Sequence, residues 1–209
     1  MGISIQKLER GVINPNKFKK EQTMKKLLKT LGLAVGFALL GTSTFAQNGT
    51  VTVGGEAMYP KKNIVENAVN SKDHTTLVAA VKAAGLVDAL MGAGPFTVFA
   101  PVNAAFDKLP SGTVETLLKP ENKSTLAKVL TYHVVAGKFD AKDLMKLIEK
   151  GKGMTKLKTL SGGTLVAKMN GDMNISITDE KGGVANIAIY NVYQSNGVIH
   201  TLDTVLLPM

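Results

Sequence analysis

The chain has 209 residues and a formal net charge of +9 at pH 7, and 44% of its residues are hydrophobic. It contains no cysteine, which excludes disulfide bridges, a thiol nucleophile and lipid attachment through a cysteine. A chain of this length forms one domain or at most two, and its stability must come from a packed core.

The N-terminal part is predicted to be a leader rather than part of the fold. Residues 24–46 combine a basic start, an apolar stretch over 31–40 and small residues ending at Ala46, which is the pattern of a secretory signal peptide. The apolar stretch is about half as long as the roughly 20 residues that span a membrane. We expect cleavage between Ala46 and Gln47, with an uncleaved anchor or a core helix as the alternative. Residues 1–23 precede an internal start methionine and are interpreted as an N-terminal extension, either a mis-called start or an untranslated segment.

Loss of this leader changes the charge of the protein. Residues 1–46 hold eight of the 25 basic and two of the 16 acidic residues, so the mature chain has a net charge of +3. The chain's only arginine, Arg10, is lost as well, and with it the planar donor group that reads phosphates and guanine bases. We therefore expect an exported protein, periplasmic or secreted to the cell surface, that binds no nucleic acid and has no transmembrane segment in its mature chain.

The first half of the mature chain is predicted to be mainly helical. Residues 47–62 are polar and glycine-rich, which indicates an N-terminal arm or an edge strand. Helical spacing of apolar residues follows, and Gly85 is expected to end the first of two short helices. The run "GPFTVFAP" is apolar on both faces, as in a covered central strand. Further helices are predicted over 111–118 and 124–135, and a third is expected after the N-cap Asp140.

The second half is predicted to be a set of antiparallel strands. Its β-type runs are separated by four turn signals, which are Gly162-Gly163, Asn170-Gly171, Gly182-Gly183 and Asn196-Gly197. Helices early and strands late indicate an α+β fold in which the single early strand inserts among the later ones. The domain is expected to span residues 63–209.

The polar residues show no pattern typical of catalysis or of metal binding. The histidines His74, His133 and His200 are too far apart in sequence for a local metal motif, and nucleophile elbows, phosphate loops and paired carboxylates are absent from the sequence. His133 and His200 lie on apolar stripes and are predicted to be buried, while His74 is predicted to be a helix cap or a surface residue. We expect no catalytic residue, no metal and no cofactor.

The lysines of "TKLKTL" alternate with apolar residues. This alternation is typical of a strand with one solvated face. A patch that binds glycans or anionic surfaces is the alternative interpretation.

Three segments resemble a known family. "FTVFAPVNAAFDKLP" (96–110), "TYHVV" (131–135) and "NGVIHTLDTVLLP" (196–208) are similar to the signature segments of the fasciclin domain family, in the same order. The likeness runs from residue 63 to 208 and is closest to small, single-domain, exported bacterial members. It implies a β-sandwich-like wedge of mainly antiparallel strands with a layer of helices. It also implies an extracellular, non-enzymatic role in adhesion and protein contact.

The resemblance places five structural residues, which are Thr97, Asn103, Phe106, His200 and Asp203. We expect the Asn103 side chain to cap the short helix that follows it, by accepting from the backbone N–H of residue 105 or 106. Phe106 is then expected to re-enter the core. Asp203 is expected to accept hydrogen bonds from backbone or hydroxyl groups.

The resemblance also suggests residues that bind a partner. The Tyr-His motif of the family falls on Tyr132 and His133, and an Asp-Ile dipeptide implicated in integrin recognition falls on Asn191 and Val192. Because an asparagine replaces the aspartate, the carboxylate that could complete an integrin's metal coordination is missing. Integrin binding is therefore not expected.

The sequence thus predicts a non-enzymatic module that binds a protein or glycan partner at the cell surface or in the extracellular matrix, as a monomer or weak oligomer. A binding protein for a small apolar ligand is the alternative, which requires an interior pocket of roughly 300 Å³ or more. A hydrolase or metal enzyme is a third hypothesis, which requires histidines or acids that converge at an open cleft.

Overall fold

The computed structural model describes residues 49–209. The predictions for the extension, the signal peptide and its cleavage site fall on residues outside this range. Within the described residues, none of the helices combines the length and the apolar character that crossing a membrane requires.

The described chain alternates short helices and strands before it becomes mainly β. The helices are α1 (Ile64–Ala68), α2 (Thr75–Ala84), α3 (Val87–Met91), α4 (Asn103–Phe106), α5 (Thr113–Leu117), α6 (Lys123–Tyr132) and α7 (Ala141–Lys150), with 3-10 turns at Lys72–His74 and Pro120–Asn122. The strands are β1 (Val51–Val53), β2 (Glu56–Met58), β3 (Phe96–Pro101), β4 (Val134–Ala136), β5 (Met154–Lys158), β6 (Thr164–Asn170), β7 (Asn174–Thr178), β8 (Val184–Gln194) and β9 (Gly197–Leu202).

Seven of these strands form one mixed sheet in the order β4-β3-β9-β8-β7-β6-β5, while β1 and β2 pair with each other. Every neighbouring pair is antiparallel except β3 and β9, which run parallel. An antiparallel bridge between Val135 and Thr159, with a hydrogen bond of 2.8 Å from Leu160 N–H to the Val134 carbonyl, joins the two edges. The sheet is therefore curled almost into a barrel.

The α+β class and the insertion of the early strand are confirmed, since β3 lies between β4 and β9. All four predicted turns connect successive strands of the sheet. The helix predicted over 124–135 is too long, because α6 ends at Tyr132 and the next residues form β4. The β-branched Val134 and Val135 gain more by pairing with β3 and packing in the interior than by extending the helix.

The main core lies inside the curled sheet. Inward-facing residues of β5 to β8, such as Leu165, Ile175 and Ile177, pack there against Leu144 and Ile148 of α7. A second cluster covers the other face of β3 and β9, where β1, β2 and α1 pack. A third joins α2 to α6. The helical layer thus rests on one end of the sheet and leaves the outer face of β5 to β8 open.

Candidate interaction site

Asn103 joins two elements that are distant in sequence. Its Oδ1 atom accepts hydrogen bonds from Thr76 N–H at 3.0 Å and from the Thr75 hydroxyl at 3.2 Å, and its Nδ2 atom donates to the Lys72 carbonyl at 2.8 Å. The prediction that Asn103 caps its own helix is wrong, because the Ala105 N–H bonds to a backbone carbonyl instead. The side chain caps the first turn of α2, which has no side-chain cap of its own.

Two further motif residues, Phe106 and Asp203, differ from each other in burial and in hydrogen bonding. The expected return of the chain to the core is made by Ala105, which is fully buried, whereas Phe106 is only half-buried. Asp203 accepts from the backbone and side-chain amides of Asn186 at 2.8 and 3.1 Å. Partial burial raises the pKa of Asp203. The two hydrogen bonds from Asn186, a third from Thr204 and the positive charge of Lys108 outweigh this effect and hold the pKa below its ordinary value.

Thr97 and His200 hold the segment that leads into α7. The Thr97 hydroxyl donates to the Gly137 carbonyl at 2.7 Å and accepts from Phe139 N–H at 2.9 Å. The Nε2 atom of His200 donates to the Phe139 carbonyl at 2.9 Å. Both side chains are fully buried, so the contacts fix the approach of α7 to the sheet.

The environment of His200 keeps its ring neutral. Its Nδ1 atom accepts from Asn191 N–H at 3.4 Å, and the ring stacks on Phe99 with centroids 5.8 Å apart and meets Tyr190 edge-on at 6.0 Å. Burial lowers the pKa of His200, and the Phe139 carbonyl opposes this shift only in part. A neutral imidazole with both nitrogens hydrogen-bonded has a structural role, since it has no free nitrogen for acid–base chemistry.

His133 is engaged in the same way between α6 and the C-terminal segment. Its Nδ1 atom donates to the Val129 carbonyl at 2.9 Å, and its Nε2 atom accepts from Leu206 N–H at 3.0 Å. Burial lowers the pKa of His133 to about 4, against the smaller opposing effects of the Val129 carbonyl and of Asp179. The two histidines predicted to be buried are therefore buried, and each uses both of its ring nitrogens.

The residues predicted to bind a partner are not found on a common surface. Tyr132, His133 and Val192 are buried, and the Tyr132 hydroxyl donates to the Thr164 carbonyl at 2.9 Å. The same hydroxyl accepts from Glu180 N–H at 2.9 Å. Partner binding by these residues stays a prediction, and in this fold it would require the segment to open.

Asn191 has a structural engagement as well. It is one of two non-glycine residues of the described chain with a positive φ, at 59°, a value that asparagine tolerates better than most residues. Its Oδ1 atom accepts from Ala141 N–H at 2.7 Å, at the start of α7. The side chain thus satisfies a helix N–H that lacks an intrahelical partner.

Two further polar residues behave differently from what the sequence indicates. His74 occupies the N-cap position of α2, one of the two roles predicted for it, but its side chain makes no cap hydrogen bond. The alternative of a surface residue is wrong, because only 3% of its surface is exposed. For Asn196 the sequence indicates only a turn. Its side chain accepts from Ile64 N–H at 3.0 Å and donates to the carbonyls of Leu90 and Gly92, both at 2.8 Å. No local pattern in the sequence indicates this role, since the partners are more than a hundred residues away.

The outer face of β5 to β8 carries mainly polar side chains, most of which are exposed or half-buried. Lys156 and Lys158 of β5 and Lys168 of β6 are exposed there, since the residues between them point into the core. Thr164, Val166, Ser176, Thr178 and Asn186 share this face by strand register. We call this surface the lysine face.

The three lysines lie close enough to act on one ligand. Lys156 is directly opposite Val166, which makes Lys168 its diagonal neighbour at about 7–8 Å, and Lys158 follows two residues along the same strand. Among the described residues, the ion pairs join Lys72 to Glu56 and Lys108 to Asp203 and involve none of the three lysines. The positive charges of Lys156, Lys158 and Lys168 are thus available to an anionic partner.

The curled mixed sheet, the helical layer and the internal polar joints define a small α+β module in which the motif side chains are structural. Residues 72–208 match the model of the fasciclin domain. This chain belongs to the fasciclin domain family.

Bacterial relatives and a solved structure agree with this assignment. The chain is 48% identical to Protein sll1483 of Synechocystis over 69% of this chain and 73% of that protein. It is 34% identical to the cell surface glycolipoprotein MPB83 of Mycobacterium bovis, over 78% of this chain and 68% of that protein. A FAS1 domain pair from the insect cell adhesion molecule Fasciclin I superposes with a TM-score of 0.62 at 20% identity, over 71% of this chain and 51% of that chain. At this identity the last comparison shows the fold alone.

Proposed function

We propose that this protein is an exported, non-enzymatic adhesion module that binds an acidic glycan at the cell surface or in the extracellular matrix through its lysine face. The observation that carries the proposal is the set of three exposed lysines, none of them in an ion pair among the described residues, on the outer face of β5 and β6. The half-buried Thr164 and Thr178 on the same face carry hydroxyls that can hydrogen-bond to sugar hydroxyls, while the ammonium groups meet carboxylates or sulfates.

The use of the remaining polar residues supports a binding role over a catalytic one. Asn103, Thr97, His133 and His200 all direct their polar atoms at backbone groups of the same chain. A catalytic role needs a group that is free to reach a substrate and a pKa suited to proton transfer near neutral pH. His133, with a pKa of about 4 and both nitrogens engaged, meets neither requirement.

The relatives support a location outside the cytoplasm. One of them is named a cell surface glycolipoprotein. Export is tested on this chain by expressing the full gene in a Gram-negative host and measuring the intact mass of the protein from the periplasm and medium. The mature protein is expected to begin at Gln47. A protein that keeps residues 24–46 and stays in the membrane fraction would contradict export by cleavage.

The glycan proposal is tested with sulfated dextran and neutral dextran on biosensor surfaces, with the purified product of the full gene in solution. The wild-type protein is expected to bind sulfated dextran, to bind it less as salt rises, and not to bind neutral dextran. The variant K156Q/K158Q/K168Q is expected to lose at least tenfold in affinity.

The matched control is K61Q/K119Q/K142Q, which removes the same charge from exposed lysines on other elements. It is expected to bind within twofold of wild type. Equal losses in the two triple variants would mean that net charge alone drives binding, and the lysine face would be rejected as the site. Binding to a matrix protein but not to sulfated dextran would replace the glycan with a protein partner.

A further inference from the structure

An asparagine that is followed by glycine can lose its side-chain amide without an enzyme, and the chain has three such pairs. They are Asn48-Gly49, Asn170-Gly171 and Asn196-Gly197. In this reaction the backbone nitrogen of the glycine attacks the side-chain carbon Cγ of the asparagine. The nitrogen must therefore be free to approach that carbon, and water must reach the product. Asn48 lies outside the described residues, so the structure compares the other two pairs.

The pair Asn170-Gly171 is open to this reaction. Asn170 is the last residue of β6, is paired with Asn174 of β7 and precedes the loop of residues 171–173. Both members of the pair are exposed. Among the described residues, Gly171 N–H makes no hydrogen bond, and a Cβ atom on Gly171 would have no neighbour within 4 Å apart from the adjacent residues. The attacking nitrogen is therefore unshielded, and the amide is in contact with water.

The pair Asn196-Gly197 is shielded from the same reaction. Three hydrogen bonds hold its amide group, from Ile64 N–H and to the carbonyls of Leu90 and Gly92. Both members of the pair are buried, and Gly197 lies against the backbone of Phe96 in the parallel pair of β3 and β9. Attack on the amide would require these hydrogen bonds to break inside the packed sheet. The two pairs thus have the same covalent chemistry in opposite environments.

Asn170 lies on the lysine face. Its side chain points to the same side of β6 as that of Lys168, since residues two apart on a strand share a face and lie about 7 Å apart. Its Nδ2 atom donates to Asn186 Oδ1 at 2.9 Å, and Asn186 Nδ2 donates to Asp203 Oδ2 at 3.1 Å. Because a carboxylate only accepts, Asn186 must turn its Oδ1 atom towards residue 170. An aspartate at 170 has no donor for that atom, so deamidation removes this hydrogen bond.

We propose that Asn170 is a site of spontaneous deamidation, which places a negative charge beside Lys168 on the lysine face. The Gly171 nitrogen bonds to Cγ of Asn170, the bond from Cγ to Nδ2 breaks, and Nδ2 leaves as ammonia with the proton of the Gly171 nitrogen. Water then opens the cyclic imide at either of its two carbonyl carbons, which gives aspartate or isoaspartate. Water is the only other reactant. Any effect of the new charge on glycan binding rests on the proposed function, whereas the chemical site does not.

Mass spectrometry of peptides tests the site. The purified, folded product of the full gene is incubated at mildly alkaline pH in water enriched in oxygen-18, so that deamidation during the incubation is distinguished from deamidation during digestion. Asn170 is expected to acquire the heavy oxygen at least tenfold faster than Asn196. In the chain unfolded by urea, the two sites are expected to react at similar rates. Similar rates at the two sites in the folded protein, or an Asn170 that stays unmodified, would overturn the proposal.

The variant N170D tests what the charge does. It is expected to weaken binding to sulfated dextran by about threefold at low salt, because the carboxylate opposes the charge of Lys168, and the loss is expected to shrink as salt rises. N70D adds the same charge at an exposed position away from the lysine face and is expected to bind as the wild type does. Thermal unfolding establishes that both variants are folded.

The two measurements fail independently. Equal affinities of N170D and N70D would reject the effect of the charge on the lysine face, although deamidation at Asn170 would stand. A wild-type protein that does not bind sulfated dextran would contradict the proposed function alone, because the mass measurement uses no ligand.

Discussion

The Oδ1 atom of Asn103 accepts a hydrogen bond from Thr76 N–H at 3.0 Å, across 27 positions of the chain. The residue between β3 and α4 therefore caps the first turn of α2. The same amide donates to the Lys72 carbonyl in the turn before that helix. One side chain thus ties the central parallel strand pair to the helical layer, and a catalytic role for it is unnecessary.

Replacement of Asn103 by alanine is expected to lower the free energy of unfolding by about 2 kcal/mol, because the helix loses its cap and several backbone groups lose partners. Urea unfolding monitored by circular dichroism measures the loss. N103D, which keeps the acceptor and removes the donor, is expected to fall between wild type and alanine.

The control for this substitution is Asn70→Ala. Asn70 makes one exposed hydrogen bond, to the Glu66 carbonyl, and its loss is expected to cost less than about 0.5 kcal/mol. Similar losses at both asparagines would show that the long-range cap contributes little.

Acid is expected to destabilise the fold through its histidines. The folded-state pKa values of His74, His133 and His200 all lie below the ordinary value of 6.5, so the unfolded chain binds more protons as the pH falls. The stabilisation is complete above about pH 6.5 and is lost towards pH 4. For His133, with a folded pKa of about 4, the loss amounts to about 3 kcal/mol.

NMR titration of the imidazole protons measures this directly. The His133 resonance is expected to titrate near pH 4, within or just before the acid transition. A His133 resonance that titrates at 6.5 in the folded protein would mean that the ring is solvated.

The substitution His200→Ala is expected to reduce stability by about 3 kcal/mol, because it leaves the Phe139 carbonyl and Asn191 N–H without partners and removes the ring that stacks on Phe99. Thermal unfolding measures the change. The exposed Lys168→Ala is the surface control, with an expected change below about 0.5 kcal/mol. An unchanged melting temperature for His200→Ala would show that its contacts are weaker than their geometry indicates.

Tyr132→Phe separates a structural role of the Tyr-His motif from a role in binding. The variant loses the hydroxyl contacts with the Thr164 carbonyl and Glu180 N–H. A loss of about 1–2 kcal/mol in stability is expected, with binding to sulfated dextran unchanged in the folded protein. Weaker binding at unchanged stability would support the original prediction that Tyr132 contacts a partner.

Local signals in the sequence predict the elements well. Gly85 ends α2 in a left-handed conformation with φ of 69°, and Asp140 caps α7 through Asp143 N–H, because both effects depend on residues a few positions away. The sequence predicts that Asn103 has a structural role, but it does not identify the groups that Asn103 binds. Its partners at 72–76 are brought to it by the packing of α2 on the sheet, which no local pattern encodes.

The site was harder to predict than the fold. Alternation of lysines on β5 indicated a solvated face, but only the register with β6 brings Lys168 beside Lys156. The burial of His74 is not evident from the sequence, because its neighbours in sequence are polar. Its burial follows from the cover of β1, β2 and the helices, which a short window of sequence does not reveal.

The central claim is that the polar motif residues hold the fold while the lysine face makes the contacts. It is tested most directly by measuring, on the same samples, the free energy of unfolding and the affinity for sulfated dextran of N103A and of K156Q/K158Q/K168Q. We expect N103A to lose stability and to bind within twofold of wild type, and the lysine variant to lose binding at least tenfold with nearly unchanged stability. Lost binding by folded N103A, with binding retained by the lysine variant, would contradict it.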